Sequence, residues 1–212
     1  SRKVDLKEDY LQTGYFNALL DDTAHFIAPY ADLIATWGKG NHETAIENHC
    51  DLDLTEMMVQ RLNQEVKDAR IHRQGYQGWI FFRSYRGKSC KAVSKVYWHH
   101  GSGGGGPVTR NVTDSARKAV YIPDADMVVR GHVHEAWSLE IKRARVSSHG
   151  VEYQDTQHHT YKDEFHETND GWWHQTGKSP RPLGGYWVDV ETRSTITPTR
   201  RDKNILTPRR AQ

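Results

Sequence analysis

An α/β fold is expected for this 212-residue chain, and three observations predict it. Helix-periodic and strand-like stretches alternate along the chain, the strand-like runs are short and rich in aromatic and β-branched residues, and three of them lead directly into loops bearing histidine. The first helix is expected from about Asp9 to Ile27, where Leu11, Tyr15, Leu19, Phe26 and Ile27 recur at mostly helical intervals and Leu20 widens the stripe; Pro29 ends it. Ala31 to Trp37 reads as a short strand running into Gly38, Gly40 and Asn41-His42-Glu43. That motif is expected in the loop beyond the strand's carboxyl end, where open α/β sheets place ligands.

A second helix is predicted from about Leu54 to Val66. Met57, Met58, Leu62 and Val66 share a face there, and Asp53 with Glu56 forms a weak capping signal. Tyr76 to Tyr85, with Trp79-Ile80-Phe81-Phe82, and Ala92 to Trp98 read as strands, the latter delivering His99-His100 into the glycine-rich run from Gly101 to Pro107. A short helix near Thr113 to Ala119 precedes the strand Ala125 to Arg130, which ends at Gly131-His132-Val133-His134. Glu135 to Val146 alternates in part and is expected as a strand of a second sheet. Ser147 to Gly185 shows little period and reads as long rim loops, and Tyr186 to Glu191 as a closing strand. The domain is thus placed at residues 1–191. Residues 192–212 are expected as a basic polar tail carrying Arg193, Arg200, Arg201, Lys203, Arg209 and Arg210.

Composition narrows the class further. Charged residues make up 26% and the net charge is +2, so nothing global demands a polyanionic partner. No run reaches the roughly 20 apolar residues of a membrane-spanning helix, and a cytoplasmic protein is expected. Cys50 and Cys90 form no CxxC pair and read as free thiols. The 13 histidines are many, so recurrence after separate strands carries more weight than any single one.

Gly40-Asn41-His42-Glu43, His99-His100-Gly101 and Gly131-His132-Val133-His134, in that order and context, resemble the third, fourth and fifth motifs of the calcineurin-like metallophosphoesterases. The resemblance spans roughly Asp9 to Val146. It implies a four-layer αββα sandwich holding two divalent ions, manganese first, with Fe, Zn, Co or Ni as alternatives. It implies Asn41, His99, His132 and His134 as metal ligands and His42 as the catalytic histidine beside the substrate. Glu43 would hold His42 or the loop, and His100 would support the loop or face substrate, though the choice between His99 and His100 as ligand stays open. A water or hydroxide held between the ions would attack a phosphomonoester or phosphodiester in line. His132 and His134, two residues apart, would lie on one side of an extended segment, with Val133 opposite. Arg110 and the glycine-rich loop are candidate phosphate contacts, and Trp79, Trp172 and Trp173 candidate stacking groups.

The family's opening motifs, Asp-x-His and Gly-Asp-x-x-Asp, are absent from the 212 residues. Those motifs supply the terminal and bridging carboxylates, so the resemblance implies a fold lacking its N-terminal β-α-β portion. The acidic half would come from a preceding segment, a second chain or a homo-oligomer, or the domain has been repurposed. Two alternatives from other classes stand beside the phosphoesterase: a non-catalytic binding or scaffolding protein that retains the fold, and a nucleic-acid-binding module using the basic tail.

Overall fold

A computed structural model of the protein describes residues 14–103, 112–133, 136–161, 184–195 and 201–211. The chain divides into two compact units, Ser1–Tyr76 and Gln77–Gln212. Together they form a mixed α/β protein, as expected. The division falls after Tyr76.

In the first unit, helix α1 spans Tyr15–Ile27 and buries Leu20 and Ala24, with Phe16 and Ile27 packed beside them. The buried stripe is offset from the expected one: small Ala24 permits close approach, and Phe26 is exposed. Pro29 opens a 3-10 helix, Ala28–Leu33, in place of the predicted strand. Proline fixes φ and removes a donor, which suits a helix start better than a strand interior. Only Thr36–Trp37 (β1) pairs, in parallel, with His72–Arg73 (β2). Helix α2, Asn41–Cys50, begins on the motif that was expected in a loop. Helix α3, Leu54–Glu65, is capped by the Asp53 carboxylate, which accepts the Glu56 N–H at 3.0 Å. It buries Leu54, Thr55, Met58, Val59 and Leu62. The Asn63 carboxamide then ties α3 to Ile71, accepting its N–H at 2.8 Å and donating to its carbonyl at 2.9 Å.

The second unit is built on a five-stranded sheet in the order β3-β4-β5-β7-β6. Strand β3 is Gln77–Arg86, β4 Ser89–His99, β5 Met127–Arg130, β6 Trp137–Val146 and β7 Glu152–Tyr161. β3 and β4 form an antiparallel hairpin whose turn uses Gly87 at φ 60. β4, β5 and β7 run parallel, and β6 pairs antiparallel with β7 at the far edge. Two expectations are corrected here. β6 belongs to the same sheet as β4 and β5, and β7 lies in the stretch read as rim loops. β7 escaped notice because its inward residues are Gln157, His159 and Tyr161, which carry no apolar alternation, and each is buried. Gln157 meets its burial by donating to the carbonyls of Ile122 and Ala125 at 2.9 and 2.8 Å and bonding His159 at 2.9 Å.

The sheet's two faces follow strand alternation. Tyr97 and Val128 pack with Ala125 and Ile122, below helix α4, Val112–Tyr121. Val96 and Met127 face the other way and pack with Leu206 and Val188. Those two come from β8, Gly185–Thr195, and β9, Arg201–Ala211, an antiparallel hairpin. The stretch expected as a loose basic tail is therefore largely a strand with a buried residue. Its cations are partly neutralised: Arg209 forms a two-pronged pair with Asp189 at 2.5 and 2.8 Å, and Arg193 pairs with Glu191 at 2.6 Å. Buried Asn204 accepts hydroxyl bonds from Ser84 and Thr192 at 2.7 and 2.8 Å, stitching the hairpin to β3. Among the described residues, no helix is long and apolar enough to cross a membrane.

Candidate functional site

Asn41 and His42 occupy the first two positions of α2, with Gly40 as the residue before the helix. The Glu43 carboxylate reaches back to accept the Gly40 N–H at 2.8 Å, and the Thr44 hydroxyl donates to the Gly40 carbonyl at 2.7 Å. Glu43 thus closes the turn that leads into α2. His42 is exposed and Asn41 half-buried, and both sit where a helix's unpaired N–H groups concentrate positive potential.

Immediately before Gly40, Lys39 is buried beneath the turn. Its ammonium donates to Glu47 at 2.7 Å and to Asp53 at 2.8 Å. Asp53 also pairs with Arg73, which in turn reaches Glu56 at 2.9 Å. Burial by itself would raise the Asp53 carboxyl; the bonds from Lys39, the Glu56 N–H and Arg73 outweigh it and hold it down to about 2. Sequence reading found the cap at Asp53 and missed its partner. A lysine between two glycines carries no periodic signal, and only the fold folds α2 and α3 back onto it.

In the second unit, the loops after the adjacent parallel strands β4 and β5 cross. Gly101 adopts φ +102, and a Cβ there would lie 2.8 Å from the Gly131 carbonyl and 3.0 Å from the His132 Cβ. The Gly131 N–H donates to the His100 carbonyl at 3.2 Å, and Val133 N–H to the Gly131 carbonyl at 2.9 Å. At this crossing the His100 and His132 rings meet edge to face, centroids 5.2 Å apart, with His132 Nδ1 and His100 Nε2 separated by 3.3 Å. His132 itself holds φ +71, in the left-handed region that a non-glycine residue occupies at a cost of roughly 1–2 kcal/mol. Such strain persists only where the surroundings impose it, and it falls on a motif histidine.

His99 is used differently. Its Nδ1 accepts the Gly101 N–H at 2.7 Å, and its ring lies over Tyr97 with centroids 6.5 Å apart. Burial, with the charges of Arg130 and Lys118, lowers its pKa below the ordinary imidazole value. A neutral imidazole that accepts at Nδ1 carries its proton on Nε2, so in this tautomer His99 is a donor there and presents no lone pair to an ion. Arg130, aligned with His99 across the β4–β5 ladder, is buried, lies 4.9 Å above the Tyr161 ring and pairs with Asp114 of α4. The structure therefore brings His100, not His99, against His132.

His134 and Arg110, expected as a ligand and a phosphate contact, lie outside the described residues, as do Trp172 and Trp173. Among the described residues no group of three or more His, Cys, Asp or Glu side chains gathers as a metal-holding cluster. Cys50 and Cys90 are exposed free thiols. Comparison with family models, curated proteins and solved structures returned no match to the chain.

Proposed function

We propose that this chain supplies the neutral-ligand half of a divalent-metal phosphoesterase site acting on a phosphomonoester or phosphodiester. The observation that carries the reading is the loop crossing at Gly101 and Gly131, which holds His100 Nε2 and strained His132 Nδ1 3.3 Å apart at the carboxyl ends of two parallel strands. Two nitrogens each about 2.0–2.1 Å from one tetrahedral ion are separated by about 3.3–3.4 Å, so the pair has the spacing a first-row divalent ion requires, and binding the ion would release the proton of their own hydrogen bond. When bound, such ions supply the positive charge that polarises a phosphoryl oxygen and activates water for attack.

In this reading His132 and His100 are nitrogen donors, with His134 a further donor by resemblance. His99 fixes the loop through Gly101, although it remains the alternative ligand if its tautomer reverses. By the resemblance alone, Asn41 would be a further ligand through its neutral carboxamide oxygen. By the same resemblance, His42 would donate to a phosphoryl or leaving-group oxygen, and Glu43 keeps the turn that carries both residues. Arg110 is proposed as a phosphate contact. The four-layer αββα fold is carried over from the resemblance, and helix α4, the sheet and the β8–β9 hairpin support a general α/β sandwich. Manganese is the first choice of ion and the cytoplasm the proposed setting. The carboxylates come from a preceding segment, a second chain or a second copy.

The test is release of nitrophenol from bis-(p-nitrophenyl) phosphate by the protein together with its carboxylate-bearing segment or partner, with Mn, Fe, Zn, Co or Ni added in turn. Asn41→Ala and His132→Ala abolish it on this reading. No turnover with any of these ions would sink the proposal and leave a binding or scaffolding role for the fold.

A further inference from the structure

The β3–β4 hairpin combines two properties that the proposed reaction does not use. The first is charge. Between Asp68 and Asp114 the sequence holds no Asp or Glu, while Arg83, Arg86, Lys88, Lys91 and Lys95 all fall on β3, β4 or their turn. The second is exposed aromatic surface: Trp79 is 39% exposed, Phe81 45% and Tyr85 60%. Alternation puts Trp79, Phe81 and Arg83 on one face of the strand at about 6.6 Å intervals, and exposed Tyr85 follows just past a register shift in the ladder between Ser84 and Tyr85. Across the ladder Phe81 is aligned with Lys95, and the Arg83 guanidinium sits 5.3 Å from the centroid of the Phe81 ring. The same face is closed over Tyr97, which is buried, and open over Phe81 and Arg83. Asp126, a carboxylate beside the hairpin, accepts the Lys95 backbone N–H rather than a side-chain cation, at 2.8 Å.

We propose that this face binds single-stranded nucleic acid, with bases stacking on Trp79, Phe81 and Tyr85 and phosphates meeting Arg83, Lys95 and the cations of the turn. Interleaved aromatics and cations along one strand match what a single strand offers, since unpaired bases expose their faces between regularly spaced negative charges. A duplex hides those faces within its stack. An acidic peptide would satisfy the cations and leave the rings unused. A second copy of the chain would set cation against cation across a two-fold axis. The basic stretch from residue 193 onward, by contrast, has Arg193 and Arg209 committed to Glu191 and Asp189. The proposal therefore places the binding surface on the hairpin, where the cations alternate with exposed rings along one strand.

The proposal stands apart from the phosphoesterase reading and is tested without it, using the full chain with EDTA present. Fluorescence anisotropy with labelled dT15 and U15 is expected to show binding that weakens as salt rises. Phe81→Ala and Tyr85→Ala each reduce affinity roughly five- to 150-fold. Arg83→Gln and Lys95→Gln each flatten the plot of log affinity against log salt by about 0.7. The altered side chains are exposed or half-exposed, and thermal unfolding confirms that the variants fold. Failure to bind either oligonucleotide would overturn the proposal. So would binding that the two aromatic substitutions leave unchanged in folded protein, or polyglutamate bound as tightly as the oligonucleotides.

Discussion

Replacing Gly101 by alanine is the sharpest structural test of the histidine crossing, because two separable costs fall on one atom. At φ +102 an L-residue is strained whatever the space around it, by roughly 1–2 kcal/mol. The added Cβ also meets backbone, the Gly131 carbonyl at 2.8 Å, and the His132 Cβ at 3.0 Å, so it cannot be relieved by turning a flexible side chain. Overpacking of this kind costs about 1–3 kcal/mol. The sum is about 3 kcal/mol, which for a unit of this size lowers Tm by roughly 10 °C. Two neighbouring glycines calibrate the number. Gly103 has φ +80 with nothing within 4 Å of its Cβ, so Gly103→Ala carries only conformational strain in an exposed loop, about 1 kcal/mol. Gly131 lies outside the left-handed region and its Cβ would sit 3.3 Å from the His100 carbonyl, so Gly131→Ala costs about 1 kcal/mol or less. Thermal and urea unfolding of the three variants give the order directly. If Gly101→Ala loses no more stability than Gly103→Ala, the two loops do not cross as described and the placement of His100 beside His132 fails with them.

Other consequences are equally open to measurement. Asp53, held down to about 2, has a folded-state pKa below its ordinary value of 3.8, so its contribution is present above pH 4 and lost as pH falls through 2. That amounts to about 2 kcal/mol, and Asp53→Asn, which keeps the helix cap, should lose it at neutral pH and flatten the acid limb in urea titrations. Buried His159 is lowered to about 4 by burial and by Arg130, Arg143 and His158. Its contribution is full above the ordinary 6.5 and fades as pH falls from there to 4, by about 3 kcal/mol, a slope that His159→Gln should remove. His132→Gly relieves the left-handed strain while adding backbone freedom, so its stability should stay within about 1 kcal/mol of the parent although metal binding is lost. Leu206→Ala empties the contact between the β8–β9 hairpin and Val96 and Met127, with an expected loss of about 2–4 kcal/mol; a loss under 1 kcal/mol would show that the hairpin is not packed there.

How far the sequence led can be argued residue by residue. Strands β3, β4 and β5 and helices α3 and α4 were readable because β-branched and aromatic runs or a helical stripe marked them, and Asp53 announced its helix. The 3-10 helix after Ile27 and the helix starting at Asn41 were not. Their residues carry weak periodicity, and α2 buries none of its side chains fully, so its stability rests on Glu43 and on the Lys39 cluster beneath it. β7 was hidden for the opposite reason: it is deeply buried, but its inward side chains are polar or aromatic, and Gln157 is held by hydrogen bonds to Ile122, Ala125 and His159 that no hydrophobic pattern encodes. At the site, motif order pointed to two loops that the structure brings together at Gly101 and Gly131, whereas the environments of His99 and His100 depended on which ring nitrogen the Gly101 amide occupies. That is a property of a backbone crossing between two strands distant in sequence, set by glycines whose role appears only when the loops meet.

The central claim is that this crossing makes His100 and His132 joint donors to one divalent ion. Cobalt titration followed by visible absorption reports nitrogen ligation directly, in the protein together with its carboxylate-bearing segment or partner. The account predicts one tightly held ion per site whose absorption bands disappear in His100→Ala and in His132→Ala, while His99→Gln retains them. Bands unchanged in both alanine variants, or lost only in His99→Gln, would contradict it.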